Sequence, residues 1–263
     1  MFSFLNNIPQ VTKNILLINV MLSIVTFILG SQNIDLGRDL GAYYMNSPLF
    51  RPYQIVTHFF MHDGSSIMHL FMNMYLLVIL GSYLERLWGP KKYFVLYIIS
   101  ALGAFALYNA MGMYQISELR NSFTGVLDIN SIDSIMNNSQ SMEEIITEVN
   151  NYLHTLSGQQ VIDTNLLQKY ISFCSTPMVG ASGAVFGVMA AFAILFPNTE
   201  FMLYFAIPVK AKFLVGAYFL FELYLSFNGT PGDNVAHLAH VGGAIAGAIM
   251  ILYWRKTDKK NFW

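Results

Sequence analysis

Five strongly polar side chains stand inside otherwise apolar stretches of this chain: His69, Asn73, Ser182, Glu222 and His240. Such groups are expensive in hydrocarbon, so each asks for a partner or a task. A serine and a histidine are the parts of an acyl-transfer site. His240 would take the hydroxyl proton of Ser182 as general base, Ser182 would attack, and His240 would return the proton to the leaving group. His69 and Asn73 are four residues apart and share one helix face. Together with the backbone N–H of Ser182 at a helix N-terminus, they would supply donors to a developing oxyanion. No intramembrane Asp stands where it could orient His240, so a dyad is expected. Glu222 is expected to stand alone, packed against its neighbours or near a frayed helix end.

These residues need elements to hold them. The 263 residues are 55% hydrophobic and 11% charged, with a mean hydropathy of +0.48, a composition suited to lipid and not to water. A hydrocarbon core of roughly 30 Å takes about 20 helical residues. Six apolar stretches approach that length: 14–30, 67–84, 93–113, 180–196, 213–227 and 235–254. The expected fold is an all-α membrane protein, a bundle of six transmembrane helices. Lys13, Arg86, Lys91, Lys92, Lys210, Lys212, Arg255, Lys256, Lys259 and Lys260 fall on the side of the termini, against Arg38, Arg51, Arg120 and Lys169 opposite. That bias places both termini in the cytoplasm. The chain then divides into a short N-terminal segment (1–13), helices one to three with an external loop at 31–66 (14–113), a polar external insertion (114–177), helices four to six (178–254) and a basic cytoplasmic tail (255–263).

Depth brings the polar residues together. At about 1.5 Å per residue, Ser182 and His240 each lie roughly 21 Å from the cytoplasmic ends of their spans, and Asn73 lies roughly 17–20 Å up. Gly183 and Gly187 form a GxxxG in the fourth span, and Gly243 and Gly247 form another in the sixth. Such pairs let two backbones approach closely. His240 shares its stripe with Gly243 and Gly247, so it would face the helix that packs there. If that helix is the fourth, Ser182 is within reach.

Other features bound the function. The net charge of −1 argues against a nucleic-acid partner. The single cysteine, Cys174, cannot form an internal disulfide. His58, His62 and His69 lack a carboxylate or cysteine to complete a ligand set, so no metal is expected. Without a phosphate-binding loop, no cofactor is expected either. The patch 201–209, cut by Pro208, is read as interfacial. The Asn/Ser/Gln-rich insertion is read as a tolerated surface segment with little tertiary structure, despite a helical rhythm from Met142 to Leu153. Gly229, Pro231 and Gly232 suggest a mobile cap over the site. The aromatic fifth span is read as lipid-facing or core packing, with sideways passage of a substrate past it as a second reading.

The motifs resemble those of the rhomboid family of intramembrane serine proteases. Gly180-Ala181-Ser182-Gly183 is similar to the family's GxSG, with Ser182 in the nucleophile position. The stretch from Ala236 to Gly243, followed by Gly247, resembles its histidine helix. Of His237 and His240, only His240 has glycines at +3 and +7. His58, His62, His69 and Asn73 resemble the histidine-rich lead-in ending in HxxxN, whose last two members line the oxyanion site. Arg51–His58 resembles the segment leading into that second helix, and Glu85 with Trp88-Gly89-Pro90 resembles its cytoplasmic end. The resemblance covers most of 50–113 and 178–254 and leaves 114–177 unmatched. It implies a multi-pass integral membrane protein, expected in a bacterial inner (cytoplasmic) membrane, that cleaves transmembrane segments of other membrane proteins in the bilayer without a cofactor. Helix-breaking residues near the outer end of a substrate should favour cleavage. Two alternatives stay open: a catalytically inactive rhomboid-like binder, which would not need Ser182, and a membrane transporter, which would be expected to show repeats.

Overall fold

The computed structural model describes residues 5–32, 34–62, 67–156, 162–203, 207–228 and 235–258. Helix α1 (Gln10–Gly30) follows Pro9. Its first turn leaves backbone N–H groups without partners inside the helix. Glu85 supplies them: its carboxylate accepts from Val11 N at 2.8 Å, Thr12 N at 2.7 Å and Thr12 Oγ1 at 2.8 Å. The segment after α1 carries short helices α2 (Leu36–Leu40) and α3 (Gln54–Thr57), then a 3₁₀ turn at His58–Phe60. Helix α4 (Ile67–Leu76) runs through a π-helical turn (Leu77–Gly81) into α5 (Ser82–Ser122).

Helix α5 is two rods. Gly89 sits at φ 80°, which breaks the helix, and Pro90 restarts it with the ring that suits a first helical position. The second rod continues to Ser122, beyond the expected end at 113, because its last turns leave the bundle and enter the insertion. After the insertion come α9 (Ser182–Leu195), strands β1 (Glu200–Leu203) and β2 (Ile207–Lys210), α10 (Ala211–Asn228) and α11 (His237–Thr257). The two strands pair antiparallel, Glu200 opposite Lys210, so the described residues of the patch read as interfacial form a two-stranded ladder.

Among the described residues three helices, Gln10–Gly30, the kinked Ile67–Ser122 and His237–Thr257, are long and apolar enough to cross a membrane, and α9 is a shorter apolar helix. Large apolar side chains face outward along them and along α10, among them Met21, Phe27, Phe213, Leu220 and Phe227, each more than 60% exposed. A surface of that kind suits lipid and not water. The core lies among α5, α9 and α11, where small residues remove the bulk that would hold the rods apart. A Cβ built on Gly243 would lie 1.9 Å from Gly183 O, one on Gly247 2.5 Å from Gly187 O, and one on Gly187 2.8 Å from Gly243 O. On the other side, a Cβ on Gly183 would meet the Ala104 methyl at 2.5 Å. The fourth and sixth apolar helices are thus in backbone contact along both GxxxG pairs.

The insertion corrects the sequence reading. It folds as helices α6 (Ile129–Asn138), α7 (Met142–Thr155) and α8 (Thr164–Ser175), packed on the end of α5 around a core of its own. Ile116, Ile132, Met136, Tyr170 and Cys174 are fully enclosed there. Side-chain caps start each helix: Asp128 accepts from Asn130 N, Ser141 from Glu144 N, and Asp163 from Asn165 N and Leu166 N. The polar composition hid an amphipathic pattern, since a helix needs only one apolar stripe to be buried. The insertion is also tied to the 31–66 segment. Ser47 Oγ donates to Cys174 O at 2.7 Å, and Arg51 Nη2 donates to Asn137 Oδ1 at 2.8 Å. Arg38 donates to Ser139 O.

Candidate active site

Helix α9 is only 14 residues long, about 21 Å, so the irregular backbone before it stands within the thickness of the bundle. Such backbone is tolerated in a membrane protein only where protein satisfies it. The 31–66 segment does this. Ala42 and Met178 exchange both backbone hydrogen bonds at 2.8 Å, and Gly180 N donates to His58 O at 3.0 Å. Gly180 adopts φ 130°, a conformation that L side chains rarely take, and a Cβ there would lie 3.3 Å from Ser182 Oγ and 3.4 Å from His69 Cε1. The glycine, free to take this φ, therefore carries the chain past His69 and delivers Ser182 to the first turn of α9.

Ser182 and His240 meet. The Ser182 Oγ and His240 Nε2 are 2.8 Å apart, both residues are buried, and the hydroxyl donates when Nε2 carries the lone pair. The imidazole is held on its face by Phe186, one helical turn beyond Ser182, with ring centroids 4.3 Å apart and planes within 8°. Phe186 packs in turn on Tyr218 of α10 at 4.9 Å.

Glu222 is not alone. It is buried on α10, and its Oε2 lies 2.7 Å from His240 Nδ1 and 2.6 Å from His237 Nδ1. The expectation of a packing role or a frayed end is therefore corrected. The carboxylate holds His240 by its Nδ1, which leaves Nε2 as the acceptor facing Ser182. The sequence offers no orienting Asp because the partner is a glutamate on a different helix. The available signal was the i, i+3 pair His237 and His240 on one face of the sixth span, with the fifth span's only acid facing it. Glu222, His237 and His240 each also offer one ligand atom, all within 4.8 Å of one another.

The two residues expected as oxyanion donors, His69 and Asn73, lie on α4. His69 flanks Gly180 and Ser182 as described above. Asn73 is buried one turn further, with Nδ2 3.4 Å from His62 Nε2, and the His62 ring is 5.6 Å from that of His69. His58 is built into the support: its Nδ1 donates to Gln54 O at 2.8 Å, and its ring packs 5.6 Å from Phe105. Burial lowers its pKa from 6.5 to about 4. Burial and the neighbouring His69 do the same for His62, to about 4. In the insertion, burial pushes the Cys174 thiol up to about 12, so it is an inert core side chain. The expected cap at 229–234 and the tail beyond 258 lie outside the described residues.

Fold and site define a multi-pass helical integral membrane protein with a serine, a histidine and a glutamate in one hydrogen-bonded line. The Rhomboid domain family model matches residues 50–125 and 134–257, and the chain belongs to the rhomboid family. The match takes in most of the insertion that sequence motifs alone left unassigned. An uncharacterized mitochondrial rhomboid protein of Schizosaccharomyces pombe is 37% identical over 102 residues, 34% of this chain and 26% of the relative. Rhomboid protein 1, mitochondrial, of Saccharomyces cerevisiae is 33% identical over 89 residues, 32% of this chain and 24% of the relative. The matches span about a quarter of the length of these relatives. Both relatives are mitochondrial, which does not fit the expectation of a bacterial inner membrane.

Proposed function

We propose that this protein is an intramembrane serine endopeptidase that cleaves transmembrane segments of other membrane proteins. The observation that carries the reading is the 2.8 Å contact between Ser182 Oγ and His240 Nε2. The order of events follows from the contacts. His240, its Nδ1–H donated to Glu222, accepts the Ser182 proton at Nε2 while Oγ attacks the scissile carbonyl. The imidazolium so formed faces the Glu222 carboxylate, which stabilises it. Negative charge developing on the carbonyl oxygen meets the N–H groups at the start of α9, with the side chains of His69 and Asn73 beside it. His240 then returns the proton to the departing amine. Water, activated by the same histidine, attacks the acyl-enzyme and releases Ser182.

The positive residues at the far ends of the helices support a cytoplasmic placement of both termini, with six crossings and the insertion on the opposite side. The start of α9 inside the bundle supports cleavage below that surface. A substrate helix would have to unwind there, so helix-breaking residues near its outer end should favour cleavage. The reading is tested with purified protein in detergent and a single-span substrate, alongside Ser182→Ala and His240→Ala. Cleavage by the parent and its loss in both variants is expected. Equal cleavage by the variants, or none by a folded parent, would leave the chain as a binder of membrane proteins and not an enzyme.

A further inference from the structure

We propose that Glu222, His237 and His240 also form an inhibitory site for a borderline-soft divalent cation, of which Zn2+ is the representative. The proposal deepens the protease reading where it concerns inhibition. Its binding half stands on the cluster alone. Two imidazole nitrogens and one carboxylate oxygen converge within 4.8 Å, all on buried residues of α10 and α11. Two histidines and one glutamate are a set that zinc takes, with a fourth position left to water. Zinc bonds to N and O of about 2.0–2.2 Å place tetrahedral ligand atoms roughly 3.2–3.5 Å apart. The contacts of 2.6 Å and 2.7 Å to Glu222 Oε2 would therefore open by less than an ångström. Magnesium and calcium, which seek oxygen ligands, would not be held by a site with two nitrogens.

The consequence for the serine is a matter of tautomers. In the hydrogen-bonded state the proton of His240 is on Nδ1 and the lone pair is on Nε2, facing Ser182 Oγ at 2.8 Å. A cation on Nδ1 takes the lone pair there and moves that proton to Nε2. The imidazole keeps its single proton, and His237 undergoes the same shift, so no proton is gained or lost by the site. Nε2–H then donates to Ser182 instead of accepting from it. The base is gone while the nucleophile and the oxyanion donors are untouched, so inhibition falls mainly on kcat.

The test uses tag-free full-length protein. Zinc binding is measured calorimetrically on Ser182→Ala, which keeps the three ligands and needs no activity. One saturable Zn2+ per chain is expected, with no comparable Mg2+ binding. Adding His237→Gln should weaken it at least tenfold, whereas His62→Gln, which probes the other histidine group, should not. No saturable binding, or equal affinity after His237→Gln, overturns the site. In cleavage assays Zn2+ should lower kcat of the parent and EDTA should restore it. Full activity with the site loaded overturns the inhibitory role. A parent inactive in EDTA refutes the protease reading instead, and with it the inhibitory half, while the binding result stands.

Discussion

Glu222→Gln probes the line Glu222–His240–Ser182 with least change of shape. The buried carboxylate receives both His240 Nδ1 at 2.7 Å and His237 Nδ1 at 2.6 Å through the same oxygen. Glutamine can present its carbonyl oxygen at that point, so the tautomer of His240 can be kept, but the charge that stabilises an imidazolium is lost. Charge-assisted hydrogen bonds contribute about 1.5–3 kcal/mol and neutral ones about 0.5–1.5. The difference of about 1–2 kcal/mol predicts a fall in kcat of roughly five- to thirtyfold. If the amide turns its NH₂ toward His240, the wrong tautomer results, and in a soluble triad that error costs roughly 10⁴-fold. KM should move less than about twofold in either case, because the interaction is made with the transition state and not the substrate. The assay is steady-state cleavage of a single-span substrate in proteoliposomes, with thermal unfolding and gel filtration as controls of the fold. An unchanged kcat in a well-folded Glu222→Gln would refute the reasoning and return Glu222 to a packing role.

Four further outcomes are expected. Gly243→Val places side-chain atoms where a Cβ already meets Gly183 O at 1.9 Å, so Tm should fall by the equivalent of about 1–3 kcal/mol or more, with loss of cleavage; Gly216→Ala, with nothing within 4 Å of its new Cβ, should raise it slightly. Asn73→Ala should lower kcat by roughly 2.7–4 kcal/mol of transition-state stabilisation if it behaves as an oxyanion donor, with a smaller effect on substrate binding; unchanged kinetics in His69→Ala/Asn73→Ala would remove both from the site. His58 is held neutral, with a pKa of about 4 in place of 6.5, so below pH 6.5 the unfolded chain takes up a proton that the native state refuses. Stability from this residue is complete above pH 6.5 and is lost as the pH falls toward 4, by on the order of 3 kcal/mol; His58→Gln should flatten that part of a stability–pH profile. Cys174, 0% exposed and with its thiol pushed up to about 12, should resist maleimide until denaturant is added, and rapid labelling of the native protein would contradict the enclosed core of the insertion.

The meeting of Ser182 and His240 is legible in the sequence because helices convert spacing into height and angle. Two polar groups at the same height, one beside a glycine stripe, have few places to point once the rods touch. The glycine stripes on α9 and α11 are legible for the same reason. Glu222 is not legible in that way. Its height on the fifth span says little without the rotation of α10, which Phe186 and Tyr218 set by packing. The insertion is not legible as a folded unit because its composition is polar on average. Burial there follows the stripe of Ile132, Met136, Ile145 and Val149 and not the mean. The support of Gly180 by His58, and of Met178 by Ala42, is a backbone matter, and side-chain patterns carry no signal for it.

The central claim is that Ser182 is a nucleophile made reactive by His240. A fluorophosphonate probe, followed by peptide mapping of the purified protein, reads that property without a known substrate. The account predicts a single adduct on Ser182 that disappears in His240→Ala while the protein stays folded. Labelling of Ser182 at the parent rate in His240→Ala, or no labelling of a folded parent, would contradict it.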